Sequence, residues 1–210
     1  MSGKPLRPLR LGVLISGQGT SLENLFDRIE AGEVPAEVAV VVSSKAGAGG
    51  LARAERRGVP AVAVPRREHR DVDVFNDLLH VELEKHGVEF VVCLGFLSPF
   101  QLRGKFEGKA LNVHPALIPA FSGPGMYGHH VYEAVFAKGV KVTGATVHFV
   151  DEEYDHGPIL LQQAVPVAED DTADSLSARV QAAERELVPE AIRLVAEGRV
   201  TIENGRTRIA

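Results

Sequence analysis

Short runs of aliphatic and β-branched residues recur along the chain, at Leu11–Ile15, Glu37–Ser43, Ala61–Val64, Glu89–Leu94, Ala110–His114, Lys141–Val150 and Ile159–Val167. Between them lie stretches whose apolar positions repeat with helical spacing, at Ser21–Ile29, Gly50–Arg57, Asp73–His86, His129–Ala137 and Ser175–Glu197. Strand-like runs separated by helical patterns of ten or more residues predict βαβ units. The expected architecture is therefore α/β: a single Rossmann-like domain with a mostly parallel central sheet flanked by helices on both faces. No internal repeat, low-complexity tract or linker-like composition divides the chain, so residues 1–210 are read as one domain, with 1–9 a short tail leading into the first strand. The densest punctuation is Pro119–Gly128, whose three glycines and two prolines predict an irregular surface loop.

Composition narrows the picture. The 210 residues are 45% hydrophobic and 24% charged, the balance of an ordinary globular protein. The longest apolar stretch, Phe90–Leu97, is interrupted by Gly95 and falls far short of the ~20 residues that cross a bilayer. Lys4, Arg7 and Arg10 precede the apolar Leu11–Ile15, but that run is too short for a signal-peptide core, so no membrane partner is expected. A net charge of −5 argues against a nucleic-acid partner and requires any anionic ligand to be held by a few placed groups. The single cysteine, Cys93, leaves no intrachain disulfide or cysteine-based metal cluster and points to the cytoplasm. His129 and His130 lack the spacing and partners of a metal site, so no metal is expected.

Three constellations carry candidate chemistry. Ser16-Gly17-Gln18-Gly19-Thr20-Ser21 lies between the first strand and the first helix, where glycines permit a tight turn and free backbone N–H groups attract an anion such as phosphate. Thr20 and Glu23 have capping-box spacing, so a capped turn without a ligand is an equal reading, and Leu22 stands where the third glycine of a dinucleotide fingerprint belongs. Leu111-Asn112-Val113-His114-Pro115 ends a mid-sheet strand. Alternation puts Asn112 and His114 on one side, an amide donor next to a titratable imidazole, suited to stabilising and protonating an oxyanion growing on a carbonyl. Two polar residues satisfying loop backbone is the competing reading. In Gly144–Pro158, Thr146 and His148 share a strand face and lead into the carboxylates Asp151, Glu152, Glu153 and Asp155. The first three suit a solvated turn; Asp155, held by the Gly157-Pro158 exit, suits a partner for His114 that raises its pKa. Gln181 and Glu184 share a face of the last helix, within reach of a sugar hydroxyl if that face is not solvated, and Pro65–Arg70 is a basic cluster that suits a solvated loop better than an anion site.

Taken together, from Leu11 to about Val188, these segments and Gly95-Phe96 resemble the glycinamide ribonucleotide formyltransferase family of folate-dependent enzymes. The resemblance implies transfer of a formyl group from 10-formyltetrahydrofolate, a cosubstrate and not a tightly bound cofactor, to the amine of 5-phosphoribosyl-glycinamide in purine synthesis. It implies a catalytic trio of Asn112, His114 and Asp155, in which Asp155 keeps His114 charged. Gly17, Gly19, Thr20 and Ser21 would hold the phosphate, and Glu184 the ribose or glycinamide. Phe96, Leu97, Ser98, Val150, Asp151, Glu152 and Asp155 would hold the folate. The N-terminal half would thus bind the phosphoribosyl substrate and the C-terminal half would bind folate and carry catalysis, in a monomer or homodimer. Ser98 stands where many relatives have arginine, the segment before Asn112 is about two residues shorter, and the loop Phe121–His130 is longer than in some members. A 10-formyltetrahydrofolate deformylase, a methionyl-tRNA formyltransferase and a nonenzymatic nucleotide-binding module are the alternatives. Length and acidity disfavour the first two, which carry extra domains.

Overall fold

The computed structural model describes residues 7–210. In order these form β1 (Leu9–Ile15), α1 (Thr20–Glu30), β2 (Ala36–Ser43), α2 (Gly49–Arg56), β3 (Ala61–Ala63), α3 (Val72–Lys85), β4 (Phe90–Leu94), β5 (Ala110–His114), α4 (His129–Lys138), β6 (Val142–Phe149), β7 (Ile159–Pro166), α5 (Ala173–Ala196) and the hairpin β8 (Val200–Glu203) and β9 (Arg206–Ile209). The main sheet has seven strands in the order β3-β2-β1-β4-β5-β6-β7. Pairings from β3 to β5 are parallel, and those of β6 with β5 and β7 are antiparallel.

The expectation of an α/β fold with a mostly parallel central sheet holds. No helix separates β4 from β5 or β6 from β7. An antiparallel pair needs only a turn between its strands, and Val150–Pro158 supplies it. Of the stretch read as a tail, residues 1–6 lie outside the described residues, Arg7 pairs with Glu89, and Leu9 is the first residue of β1, its N–H donating to the Pro35 carbonyl at 3.0 Å. Among the described residues no helix is long and apolar enough to cross a membrane.

Strand alternation divides the core into two clusters. Leu11, Val13 and Ile15 of β1 pack with Leu22, Leu25, Ala54, Leu176 and Ile192 on the face covered by α1, α2, α4 and α5. Leu14 faces the other way, toward Phe75, Leu79 and Leu83 of α3. Because both faces are covered, the strands read as nearly continuous apolar runs. Gly12 lets α3 approach β1: a Cβ there would lie 2.4 Å from Leu83 Cδ2.

The chain runs outward from β1 to β3 and then returns to β4 on the other side of β1, so a crevice opens at the carboxyl ends of β1 and β4. Helix α5 flanks it despite Pro189, which has no N–H to give the Arg185 carbonyl one turn earlier. Asn24 of α1 donates to that carbonyl instead, at 2.8 Å, and the proline is accommodated without breaking the helix.

Candidate active site

A cavity of about 810 Å³ occupies the crevice, a size suited to small-molecule ligands. Every residue singled out above for phosphate, ribose, folate or catalysis lines it: Gly17, Gly19, Thr20, Ser21 and Glu184; Phe96, Leu97, Ser98, Val150, Asp151 and Glu152; Asn112, His114 and Asp155. His129 also lines it, whereas Pro65–Arg70 does not. Arg66 of that cluster lies with its guanidinium 5.5 Å from the Phe75 ring centroid.

On the β1 side the wall is backbone. Gly19 is left-handed, with φ 72°, and a Cβ on it would meet the Gly50 Cα at 2.7 Å. It is the N-cap of α1 and makes no side-chain hydrogen bond, so the first N–H groups of the helix remain open. The capping box expected between Thr20 and Glu23 is absent. Thr20 is already helical, and the Glu23 carboxylate instead accepts from Arg53 at 3.0 Å and Arg57 at 2.6 Å, bonds that lower its pKa. Arg53 also donates to the Gln18 carbonyl at 2.8 Å, fixing the turn from α2. Ser16 Oγ is shared with Ser44 Oγ at 2.6 Å and accepts from Leu97 N–H at 2.9 Å, tying the end of β1 to the end of β4.

On the β5 side the wall is side chain. Asp155 sits with a positive φ of 54°, and its side chain is only 9% exposed. Its Oδ2 lies 3.3 Å from His114 Nδ1 and accepts from Gly123 N–H at 2.9 Å; its Oδ1 accepts from Asn112 Nδ2 at 3.4 Å. His114 Nε2 donates to the Phe121 carbonyl at 2.7 Å. Both ring nitrogens of His114 therefore face oxygen acceptors, a setting that only a doubly protonated ring satisfies in full.

Burial opposes that charge, and it is the larger influence. It holds the His114 pKa below its ordinary value, against the upward pull of Asp155 and the Phe121 carbonyl and with His148 adding to the depression. Asp155 pulls the His114 pKa upward, as expected, but burial outweighs it and the net shift is downward. For Asp155 itself, burial acts to raise the pKa, while His148, His114 and the Gly123 N–H together outweigh it and keep the carboxyl below the usual range.

His148 belongs to this cluster as closely as the expected trio. Its Nδ1 donates to the Phe149 carbonyl at 2.9 Å, and its Nε2 accepts from Asn112 Nδ2 at 3.1 Å and lies 3.7 Å from Asp155 Oδ1. The antiparallel register sets Asn112 opposite His148 and His114 opposite Thr146. Thr146, its neighbour on that strand face, is structural: its hydroxyl donates to the Ala116 carbonyl at 2.7 Å and accepts from Ile118 N–H at 3.1 Å.

The remaining walls are mixed. Leu97, Tyr127 and Tyr154 are large hydrophobics about half exposed at the cavity, and Phe96 stacks with Phe75 at 6.4 Å. Val150 N–H is already used, donating to the Ala110 carbonyl at 2.9 Å, and Asp151 pairs with His156 Nδ1 at 2.8 Å. Across the cavity, α4 and α5 contribute Tyr132, Ser177, Gln181 and Glu184. Burial pushes the Glu184 carboxyl up to about 7, with Arg185 opposing. Burial pushes the Tyr132 hydroxyl up to about 12. Among the described residues no group of three or more His, Cys, Asp or Glu side chains is placed to hold a metal ion.

A crevice with the uncapped start of a helix at one end and an Asn, two His and an Asp at the other is an arrangement suited to group transfer. Residues 9–192 match the family described as Formyl transferase, and the chain belongs to it. It is 34% identical to phosphoribosylglycinamide formyltransferase of Haemophilus influenzae, over 93% of this chain and 91% of that protein. It is 41% identical to trifunctional purine biosynthetic protein adenosine-3 of Gallus gallus over 92% of this chain, which spans only 19% of that longer protein. The crystal structure of glycinamide ribonucleotide transformylase 1 from Symbiobacterium toebii is 42% identical, with a TM-score of 0.92 over 100% of this chain and 99% of that one.

Proposed function

We propose that this chain transfers the formyl group of 10-formyltetrahydrofolate to the amine of 5-phosphoribosyl-glycinamide, giving N-formylglycinamide ribonucleotide and tetrahydrofolate. The observation that carries the reading is the convergence of Asn112, His114 and Asp155 on one cavity whose other end is the open Gly17–Ser21 turn. The phosphate docks on the N–H groups of Gly19–Ser21, where the start of α1 favours negative charge. Glu184 takes the ribose or the amine, and the folate ring system lies along Phe96–Ser98 and the Val150–Asp155 turn.

The amine attacks the formyl carbon. Negative charge grows on the formyl oxygen, which accepts from the Asn112 amide and from His114 when their bonds to His148 and to the Phe121 carbonyl are exchanged for it. As the bond from the carbon to N10 breaks, N10 gains a proton and the attacking nitrogen loses one, so the sum is one proton moved across the site. His114 and Asp155 hold that proton between them. A histidine whose pKa is pulled down by burial releases its proton more readily to N10 than an ordinary imidazolium would.

The test is to mix the protein with 10-formyltetrahydrofolate, with and without 5-phosphoribosyl-glycinamide, and to follow both folate and formylated product. Folate consumption that requires the glycinamide substrate and yields formylated product is the expected result. Consumption without it, with formate released, makes the protein a deformylase; no consumption in either tube overturns the enzymatic reading.

A further inference from the structure

The cavity wall from Phe96 to Gln101 belongs to a long connection between β4 and β5 that has no helix or strand of its own. Backbone polar groups in such a segment need partners from elsewhere. Two come from α3, whose inward face is otherwise apolar through Phe75, Leu79 and Leu83. Asn76 is completely buried. Its Nδ2 donates to the Val72 carbonyl at 2.9 Å and to the Pro99 carbonyl at 3.3 Å, while its Oδ1 accepts from Gln101 N–H at 2.8 Å. One helical turn further on, the buried His80 donates from Nε2 to the Gln101 carbonyl at 2.7 Å. The His80 ring stacks on Phe100, with centroids 5.5 Å apart and planes 17° apart, and Phe106 lies on it at 5.4 Å.

We propose that Asn76 and His80 are positioning residues that set the wall on which the formyl donor rests. A helix that had only to pack here would carry apolar side chains at both positions, because burying an amide and an imidazole is costly unless they are hydrogen-bonded. Their bonds to the wall fall on Pro99 and Gln101, the last residues of its cavity-lining stretch. Neither side chain lines the cavity, so neither touches a ligand. The inference deepens the proposed function, resting on its assignment of this wall to the folate.

Kinetics of three variants test it. Asn76→Leu removes all three of the amide's bonds at similar volume, and His80→Phe keeps a ring against Phe100 but loses the donor to Gln101. Leu83→Val, on the same helix and facing β1, serves as a destabilised comparator away from the wall. The expected result is a KM for 10-formyltetrahydrofolate raised roughly 10-fold by Asn76→Leu and less by His80→Phe. The KM for the glycinamide nucleotide stays within about twofold, since the phosphate turn lies on β1. His80→Gln, which can still donate to the Gln101 carbonyl, restores most of the donor KM. Equal effects on both KM values, or the same rise in Leu83→Val, would reduce the pair to ordinary core stability and overturn the proposal. Calorimetric titration with tetrahydrofolate separates this failure from failure of the proposed reaction. Weaker binding in Asn76→Leu than in wild type upholds the inference even without turnover; equal binding, or none in wild type, overturns it.

Discussion

The two ends of the cavity are made of different materials. At the carboxyl end of β1 the defining features are main chain: Gly19 in a left-handed conformation, the uncapped start of α1, and a neighbouring helix so close that glycine faces glycine at Gly19 and Gly50. At the carboxyl end of β5 they are side chains, with Asn112, His114, His148 and Asp155 within hydrogen-bonding or ion-pairing reach of one another. A backbone site binds a charge that never changes and needs only to be preorganised. A side-chain cluster can change protonation state, and the proposed reaction needs that only where the proton moves.

Substitutions at the two ends should therefore fail in different ways. The largest effect is expected from His114→Ala, with turnover falling about 10²- to 10⁴-fold, the usual range for a lost acid–base group, while the nucleotide still binds through its phosphate. Asp155→Asn should lower turnover at least ~100-fold. It should also move the His114 titration, followed by NMR of the ring protons, further down, because the carboxylate is what pulls that pKa up against burial. A near-wild-type rate in His114→Ala, or an unmoved titration in Asp155→Asn, would remove the corresponding side chain from the proton path.

Gly19→Ala attacks the other end. The added methyl meets the Gly50 Cα, and φ 72° strains any residue with a Cβ, at a cost of about 1–3 kcal/mol. The expected result is a rise of roughly 10-fold or more in KM for the glycinamide nucleotide, with kcat changed far less. A fall confined to kcat would mean that this turn takes part in the chemistry and would erase the contrast between the two ends.

The same contrast governs what could be read from the amino-acid sequence. A backbone site forces residue types on the chain: Gly19 is required by its left-handed conformation and by the close approach of Gly50, so the turn announces itself. Asn112 and His114 were legible because they are two apart on one strand. His148 was visible as a polar residue beside Thr146, but its place opposite Asn112 comes from the antiparallel register of β5 and β6, which a pattern of alternating strands and helices hides. Asn76 and His80 gave no signal, since polar residues on a helix read as solvent-facing until the segment they grip is known. The misreading of Thr20 and Glu23 has the same origin: the spacing suits a capping box, but Arg53 and Arg57 of the α2 region take the carboxylate.

The smallest expected effect, at Glu184, tests whether the α5 wall follows the first material or the second. Burial pushes this carboxyl up to about 7, so the folded protein keeps its proton over a pH range in which the unfolded chain, near its ordinary 4.5, has lost it. Stability contributed in this way is present at low pH and is lost as pH rises between those two values, because the folded state must then ionise a desolvated group. Glu184→Gln has the same shape and no such loss. Thermal unfolding should give nearly equal Tm values for variant and wild type at pH 5, and a higher Tm for the variant at pH 8. The nucleotide KM of the variant should be worse at both. A Tm difference that does not vary with pH would show the carboxyl ionised and solvated throughout; Glu184 would then act as a fixed charge, like the turn, and not as a group poised to change state beside the amine.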